Sequence, residues 1–471
     1  MEKPARPPSR AASEETAQEA TPRSPAPSVT RSQSQSVDMS DPKAHAHAPA
    51  PFSARFRDKT PQGTAARAIY MKTMLGGIGA LIIVIFSCFS IYWGALWQSP
   101  HHPLPGWIVD FDGGVVGQAV SSALSNIPAA TKGVKWSVVP ASQFSGGPVQ
   151  VQNEIVQEKT WYAVTINAGA SANLAAAVAA ADASYNSSLA ITYIGSEARN
   201  ENIYRLHTAM ITAQLQTIAY QFSLDFLRNI SSSPNATTLL STAPQLVARP
   251  IYFSTHNLRP FDIPVATAVT FVGLIYLLIL SFFVVMVASG ARAASGYEAN
   301  LTLRSIILLR LVTSFIAYFF IALFYTLLSR AFQLPFDRRF GQAGLVIFWM
   351  LNWIGMLATG LALEAMITLL TVRFVPFFLI IWIITNVSVC FFPLPVLPHL
   401  YRYGYAFPFY NISRSVRAIV FGTKNDVGLN FGVLIAWVAL SCLTLPLFQW
   451  IMRRRTVPAQ RNGNAGPPSS T

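Results

Sequence analysis

Long apolar runs separated by short polar breaks fill the second half of the chain. Five of them, Val265 to Val287, Ser305 to Leu328, Gly344 to Leu370, Val375 to Phe392 and Leu429 to Met452, follow one another between Pro264 and Met452. Each approaches or exceeds the roughly 20 residues that about 30 Å of hydrocarbon demands of a helix. A sixth run, Thr73 to Trp97, lies far upstream, and residues 98–264 between it and the others have ordinary soluble composition. The pattern predicts a polytopic α-helical membrane protein with six transmembrane helices and a separate domain between the first helix and the second.

Within residues 98–264 the period changes. Short β-rich runs, "WIVDFD", "KWSVV", "WYAVTI" and "LAITYI", alternate with helical stretches from Gly114, near Val149 to Gln157, and over Ser171 to Ala181. Such alternation predicts an α/β domain. Ile211, Leu215, Ile218, Phe222 and Phe226 then recur at helical spacing and mark one face of a helix over Asn202 to Arg228, about 40 Å long at 1.5 Å per residue. Residues 1–60, rich in Pro, Ser, Ala and Gln and without apolar periodicity, are expected to form a disordered tail. The first apolar run is about twice as long as a signal-peptide core, so it is expected to stay as an anchor.

Charge sets the orientation. Hydrophobic residues make up 52% and charged residues only 11%, against about 25% charged in soluble proteins, so the bilayer is the main solvent. The net charge of +14 gathers beside the spans: residues 98–264 hold eight Lys/Arg against nine Asp/Glu, whereas residues 265–471 hold fifteen against four. This is a topology and anionic-lipid signal, which makes membrane lipids the expected partners and gives no nucleic-acid footprint. Arg55, Arg57, Lys59, Arg67 and Lys72 precede the first span, and Arg453, Arg454, Arg455 and Arg461 follow the last. Both termini, including the basic tail 453–471, are therefore expected in the cytoplasm, with the α/β domain extracytoplasmic. The loop from Ala288 to Arg304, carrying Arg292 and Arg304, fits that frame. Arg330, Arg338, Arg339, Arg402, Arg414, Arg417 and Lys424, which it places outside, fit less well. Sequons at Asn186, Asn229 and Asn235 are candidate glycosylation sites in the outer domain. Cys88, Cys390 and Cys442 all fall within predicted spans, so no disulfide is expected to staple that domain.

Catalytic signatures are missing. The chain contains no Gly-Lys-Ser/Thr, HExxH or GxSxG, so it is read as a non-enzyme without cofactors and without an ATP site of its own. Asp110 and Asp112 in "VDFDGG" share a strand face and could pair as carboxylates, but Gly113, Gly114 and a helix start follow, which favours turn and cap chemistry. His45 and His47 have no further ligands beside them and are read as linker. Arg310 and Glu364 are the two charges well inside the five-span block, and each lies roughly 8 to 9 Å from the cytoplasmic end of its span. They form a candidate intramembrane pair, or each snorkels separately to the interface. Asn352 and Asn386 are further polar contacts, read as helix glue. After Pro408, Phe409, Ile412, Val416 and Ile419 recur at helical spacing with Arg414 and Arg417 elsewhere on the helix. That predicts an amphipathic helix in the outer interface, serving as a structural lid or a substrate gate.

Several of these stretches share one likeness. "YWGALW" ending the first span, "VDFDGGVVG", "WYAVTINAGAS", "YIGSEARNENIY", "NLRPFDIP" and "YRYGYAFPFYNISRSVRAIVFGT" resemble the fungal nitrosoguanidine-resistance membrane proteins, over about Tyr70 to Arg455. The architecture is also similar to the membrane half of ABC-2-type exporters and to bacterial phage-infection receptor proteins. The resemblance implies a fungal plasma-membrane protein tied to drug or mutagen resistance, moving amphiphiles or lipids as a homodimer or with a separate ATPase. The alternative it allows is a non-transporting regulator or scaffold of lipid asymmetry or of another pump, and the alternative location is the endoplasmic reticulum membrane. It carries no catalytic residues over to this chain.

Overall fold

The computed structural model describes residues 54–129, 132–232 and 236–463, with side chains through Arg455. Most of the predicted tail, with His45 and His47, and the sequon asparagine Asn235 lie outside the described residues. The chain divides into two units at Thr73. In the first, the Arg67 guanidinium donates to the carbonyls of Phe56 at 2.7 Å and Asp58 at 2.6 Å, bracing the start of helix α1 (Pro61–Val84). In the second, α1 continues through a π-helical turn at Ile85–Phe89 into α2 (Ser90–Leu96).

The predicted alternation of strands and helices is present. In chain order come β1 (Leu104–Asp110), α3 (Val115–Ser125), β2 (Val134–Val138), α4 (Gly147–Val156), β3 (Tyr162–Ile166), α5 (Ala170–Ala180) and β4 (Ile191–Gly195). They are followed by α6 (Glu201–Ser231), α7 (Ala236–Thr242), α8 (Pro244–Ala248) and β5 (Phe253–Asn257). The strands form one sheet in the order β2-β1-β3-β4-β5, parallel throughout except between β3 and β4. Because side chains alternate along a strand, Tyr162, Val164 and Ile166 of the central strand join Val120, Leu174 and Leu215 on one face. Ala163 joins Val151 and Ile155 on the other. Helices α3, α5 and α6 therefore cover one side of the sheet and α4 the other. Helix α6 begins where the Asn200 side chain accepts from the Ile203 amide at 3.1 Å, a side-chain N-cap. Its buried stripe is Ile203, His207, Ile211, Leu215 and Ala219.

Beyond β5 the chain is helical. The elements are α9 (Gly273–Ala294), α10 (Tyr297–Asn300), α11 (Leu303–Ala331), α12 (Asp337–Phe340), α13 (Ala343–Val387), α14 (Pro408–Phe421) and α15 (Val427–Gly463). Among the described residues, five helices are long and apolar enough to cross a membrane: Pro61–Leu96, Ala268–Ala294, Leu303–Ala331, Ala343–Val387 and Val427–Arg455. The fourth of these covers two of the predicted spans. At 45 residues it would measure about 68 Å if straight. It is interrupted at Thr371, where φ is 63° and ψ is 169°. Arg338, just before its start, pairs with Asp262 of the α/β domain, and Asn200 and Asn202 of that domain donate to the Phe391 carbonyl just after its end. Both ends of α13 thus reach the same domain, one on each side of the break at Thr371. Packing against α11 is close at Gly360, where any Cβ would collide with the Tyr318 ring.

Candidate functional site

Four helices converge at the end of the bundle away from the α/β domain. Helix α11 supplies Arg310, α13 supplies Glu364, and their side chains meet with Nε 2.7 Å from Oε1. Both are buried, at 4% and 1% exposure, so neither snorkels to the surface. The sequence suggests two residues, but the structure assembles more. Arg292 of α9 places Nη2 3.0 Å from the same Oε1 and lies 3.5 Å from Glu298. Arg310 also donates to Gln449 Oε1 of α15 at 2.5 Å and to the main-chain carbonyl of Glu364. Arg292 is easy to miss because the apolar run ends at Val287, while the helix itself continues through small residues to Ala294. Gln449 carries no charge to mark it, and only its depth in the last span hints at a role.

At the opposite end the expectation for α14 is corrected. Phe409, Ile412, Val416 and Ile419 are buried as an apolar face, yet so are Ser413, Ser415 and Arg417 on other faces. The helix does not lie exposed in an interface, because the α/β domain covers Arg417 and the neighbouring membrane helices cover Ser413 and Ser415. Arg417 donates to Glu201 Oε2 at 2.5 Å and to the Ala198 carbonyl at 3.0 Å. Ser413 donates to the Thr270 carbonyl at 2.7 Å, and Asn430 donates to Ser415 at 2.9 Å. Pro408 opens the helix and Gly422, at φ 69°, closes it. Four of the seven cations that sat poorly with the topology frame have acidic partners: Arg338 with Asp262, Arg414 with Glu158 and Asp426, Arg417 with Glu201, and Lys424 with Asp426.

Beside α14 the seam between the α/β domain and the membrane helices opens into a cavity of about 440 Å³. Arg199 stacks on Trp161, its guanidinium carbon 3.5 Å from the ring centroid, and donates to the Thr160 carbonyl at 2.9 Å. Glu158 lies 3.7 Å from Arg199 and 3.0 Å from Arg414, and Arg414 bonds Asp426 at 2.7 Å. Lys424 adds a fourth cation to the lining, against two lining acids, Glu158 and Asp426. Burial pushes the Arg199 guanidinium down to about 10, with Glu158 opposing the shift and Arg414 reinforcing it. Among the described residues, Arg199 Nε has no hydrogen-bond partner. Tyr405, Tyr410, Val389 and Leu429 make the rest of the wall apolar or amphipathic. No motif covers Glu158, and "YIGSEARNENIY" contains Arg199 without singling it out. The signal is their convergence on residues of α14 more than 200 positions away.

The remaining sites are structural or lie at the surface. Asp110 Oδ1 accepts from the amides of Asp112 and Gly113, each at 2.9 Å. Asp112 accepts from Gly114 at 3.1 Å and from the Ser171 amide and hydroxyl at 2.9 and 2.5 Å. Both carboxylates thus act in turns and caps, and Asp112 ties the start of α3 to α5. Asn386 donates to its own helix and accepts from the Phe409 amide at 3.2 Å, while Asn352 donates to the Phe348 carbonyl at 2.8 Å. Asn186 and Asn229 are exposed on the α/β domain.

These features define a polytopic membrane protein whose helix bundle carries an α/β domain and buried ion pairs at both ends. Residues 80–443 match the family described as "Protein of unknown function (DUF3533)", and the chain belongs to that family. It is similar to a Saccharomyces cerevisiae protein named as an uncharacterized endoplasmic reticulum membrane protein, 27% identical over 408 residues, covering 78% of this chain and 77% of the yeast protein. No solved structure matches it.

Proposed function

We propose that this protein crosses the membrane six times, with α13 forming two crossings that turn at Thr371, and that it binds lipid-like amphiphiles with anionic heads in the cavity at the outer seam. The cavity carries the reading. It sets an excess of cations, including a stacked and incompletely bonded Arg199, against aromatic and aliphatic walls at the mouth of a membrane bundle. That combination suits a charged head with an apolar tail. In this reading the α/β domain is extracytoplasmic, the protein does no covalent chemistry, and bound amphiphiles are moved or released there, with resistance to toxic amphiphiles as the cellular outcome. The yeast relative's name favours the endoplasmic reticulum membrane over the plasma membrane, which would make the domain lumenal.

A second reading, a regulator or scaffold that senses lipid without moving it, draws on one observation. Glu364 is clasped by two arginines, which suits a strut better than a moving charge. Liposomes holding the purified chain, with fluorescent anionic lipid and with or without a proton gradient, separate the two. Leaflet exchange that Arg199→Gln slows, in protein of unchanged melting temperature, supports transport. Binding without exchange supports the regulator. Neither binding nor exchange sinks both.

A further inference from the structure

The Arg310 network opens onto a second cavity, of about 550 Å³, at the end of the bundle away from the α/β domain. Its wall carries Arg292, Arg310, Arg453, Gln449 and Thr368, with Glu298 at the edge. The charge there does not balance. Three arginines face Glu298 and the adjoining Glu364, and the Glu298 side chain is 55% exposed, so solvent screens much of its charge. Excess positive charge at the hydrocarbon boundary is costly until an anion joins it. Donors are available: among the described residues the Thr368 hydroxyl has no hydrogen-bond partner, Arg292 Nε makes only a 3.5 Å contact with the exposed Glu298, and Arg453 is held at the cavity by the Leu301 carbonyl. Ile367, Val372 and Met452 line the same space and offer an apolar flank. Arg304, Arg454 and Arg455 are exposed nearby in sequence, at the same helix ends, where basic residues concentrate anionic lipid.

We infer that this cavity binds a phosphate group, held by Arg292, Arg453 and Thr368, of the kind an anionic phospholipid carries in the leaflet facing the basic flanks. The site does not depend on the outer cavity. A phosphate fits the donors because guanidinium forks bind tetrahedral anions with paired hydrogen bonds. The apolar flank beside them would receive the start of an acyl chain.

The test uses the full chain, purified in a neutral detergent and stripped of lipid. Native mass spectrometry after incubation with equal amounts of phosphatidic acid and phosphatidylcholine should show phosphatidic acid retained in preference by roughly tenfold or more, the effect of one or two charge-assisted hydrogen bonds. Arg453→Gln, and separately Thr368→Leu to fill the cavity, should remove the preference. Arg454→Gln, which unstacks Trp450 but touches no cavity wall, should keep it. Millimolar inorganic phosphate is the second probe. If it alone raises the melting temperature and displaces the lipid, the ligand is the free anion; if the lipid stays in place, the ligand is the headgroup. Equal retention of both lipids with no response to phosphate overturns the site, as does an equal loss of preference in the Arg453 and Arg454 variants.

Discussion

Arg417 and Glu201 stand 216 positions apart in the chain and meet at 2.5 Å, both nearly buried, where α14 meets the first residue of α6. Removing one partner strands the other. Glu201→Gln or Arg417→Met alone should cost about 3 to 5 kcal/mol, whereas replacing both with apolar residues should cost much less. Thermal unfolding of the four proteins in detergent measures the coupling. Additive losses would mean the pair is incidental to the seam.

The Arg310 network makes a less intuitive prediction. Exchanging charges, Arg310→Glu with Glu364→Arg, would restore a simple pair, but here it sets a new arginine beside Arg292, now 3.0 Å from Glu364. Folded yield should stay low in the exchange and recover when Arg292→Gln is added. Full recovery by the exchange alone would show that Arg292 takes no part.

His207 lies fully buried in the α/β core, and burial pushes its imidazole from 6.5 down to about 4, against a weaker contribution from the Lys132 backbone. The unfolded chain takes up a proton near pH 6.5 and the folded domain only near 4. Stability from this group is complete above pH 6.5 and is lost as pH falls toward 4, by about 3 kcal/mol in all. Melting temperatures across that range should fall in the native protein and flatten in His207→Phe. The same slope in both would assign it to other groups.

Much of this architecture can be read from the residues, and what cannot has a physical cause. Apolar length marks the membrane helices because a bilayer accepts little else, and short β-rich runs mark β1 to β4, with apolar residues running on without alternation in the central β3 because helices cover both faces of the sheet. Arg310 and Glu364 stand out because charge is rare in such spans. Helix α14 misleads because periodicity records where apolar residues lie and not what covers the polar ones. Its arginines look solvated until Glu158 and Glu201 arrive from a domain far back in the chain. Arg292 misleads for a related reason: hydropathy stops at Val287, but a helix of small residues does not.

Glycosylation tests the orientation. Asn186 and Asn229 should each carry glycosidase-sensitive mass that is lost on changing them to Gln. Asn300, exposed near the opposite end of the bundle, should carry none. A sugar on Asn300 would invert the frame.

Thr371 is β-branched and sits at φ 63°, a conformation that costs a residue of this kind on the order of 1 to 3 kcal/mol. Thr371→Gly should leave stability unchanged or raise it, and Val372→Gly beside it should lower it by about 1 kcal/mol. Equal losses at the two positions would argue against a turn there.

The acidic partners at the seam also carry a timetable. Glu158, Glu201 and Asp262 all precede Arg338, Arg414 and Arg417 in the chain. A ribosome therefore delivers the α/β domain, carboxylates in place, before the arginines that need them emerge. In the proposed orientation, with the α/β domain across the membrane from the ribosome, arginines that would pull the later helices back toward the cytosol meet waiting counter-charges there. A chain made without residues 98–264 would lose that capture, and its last helices would be expected to insert in mixed orientations.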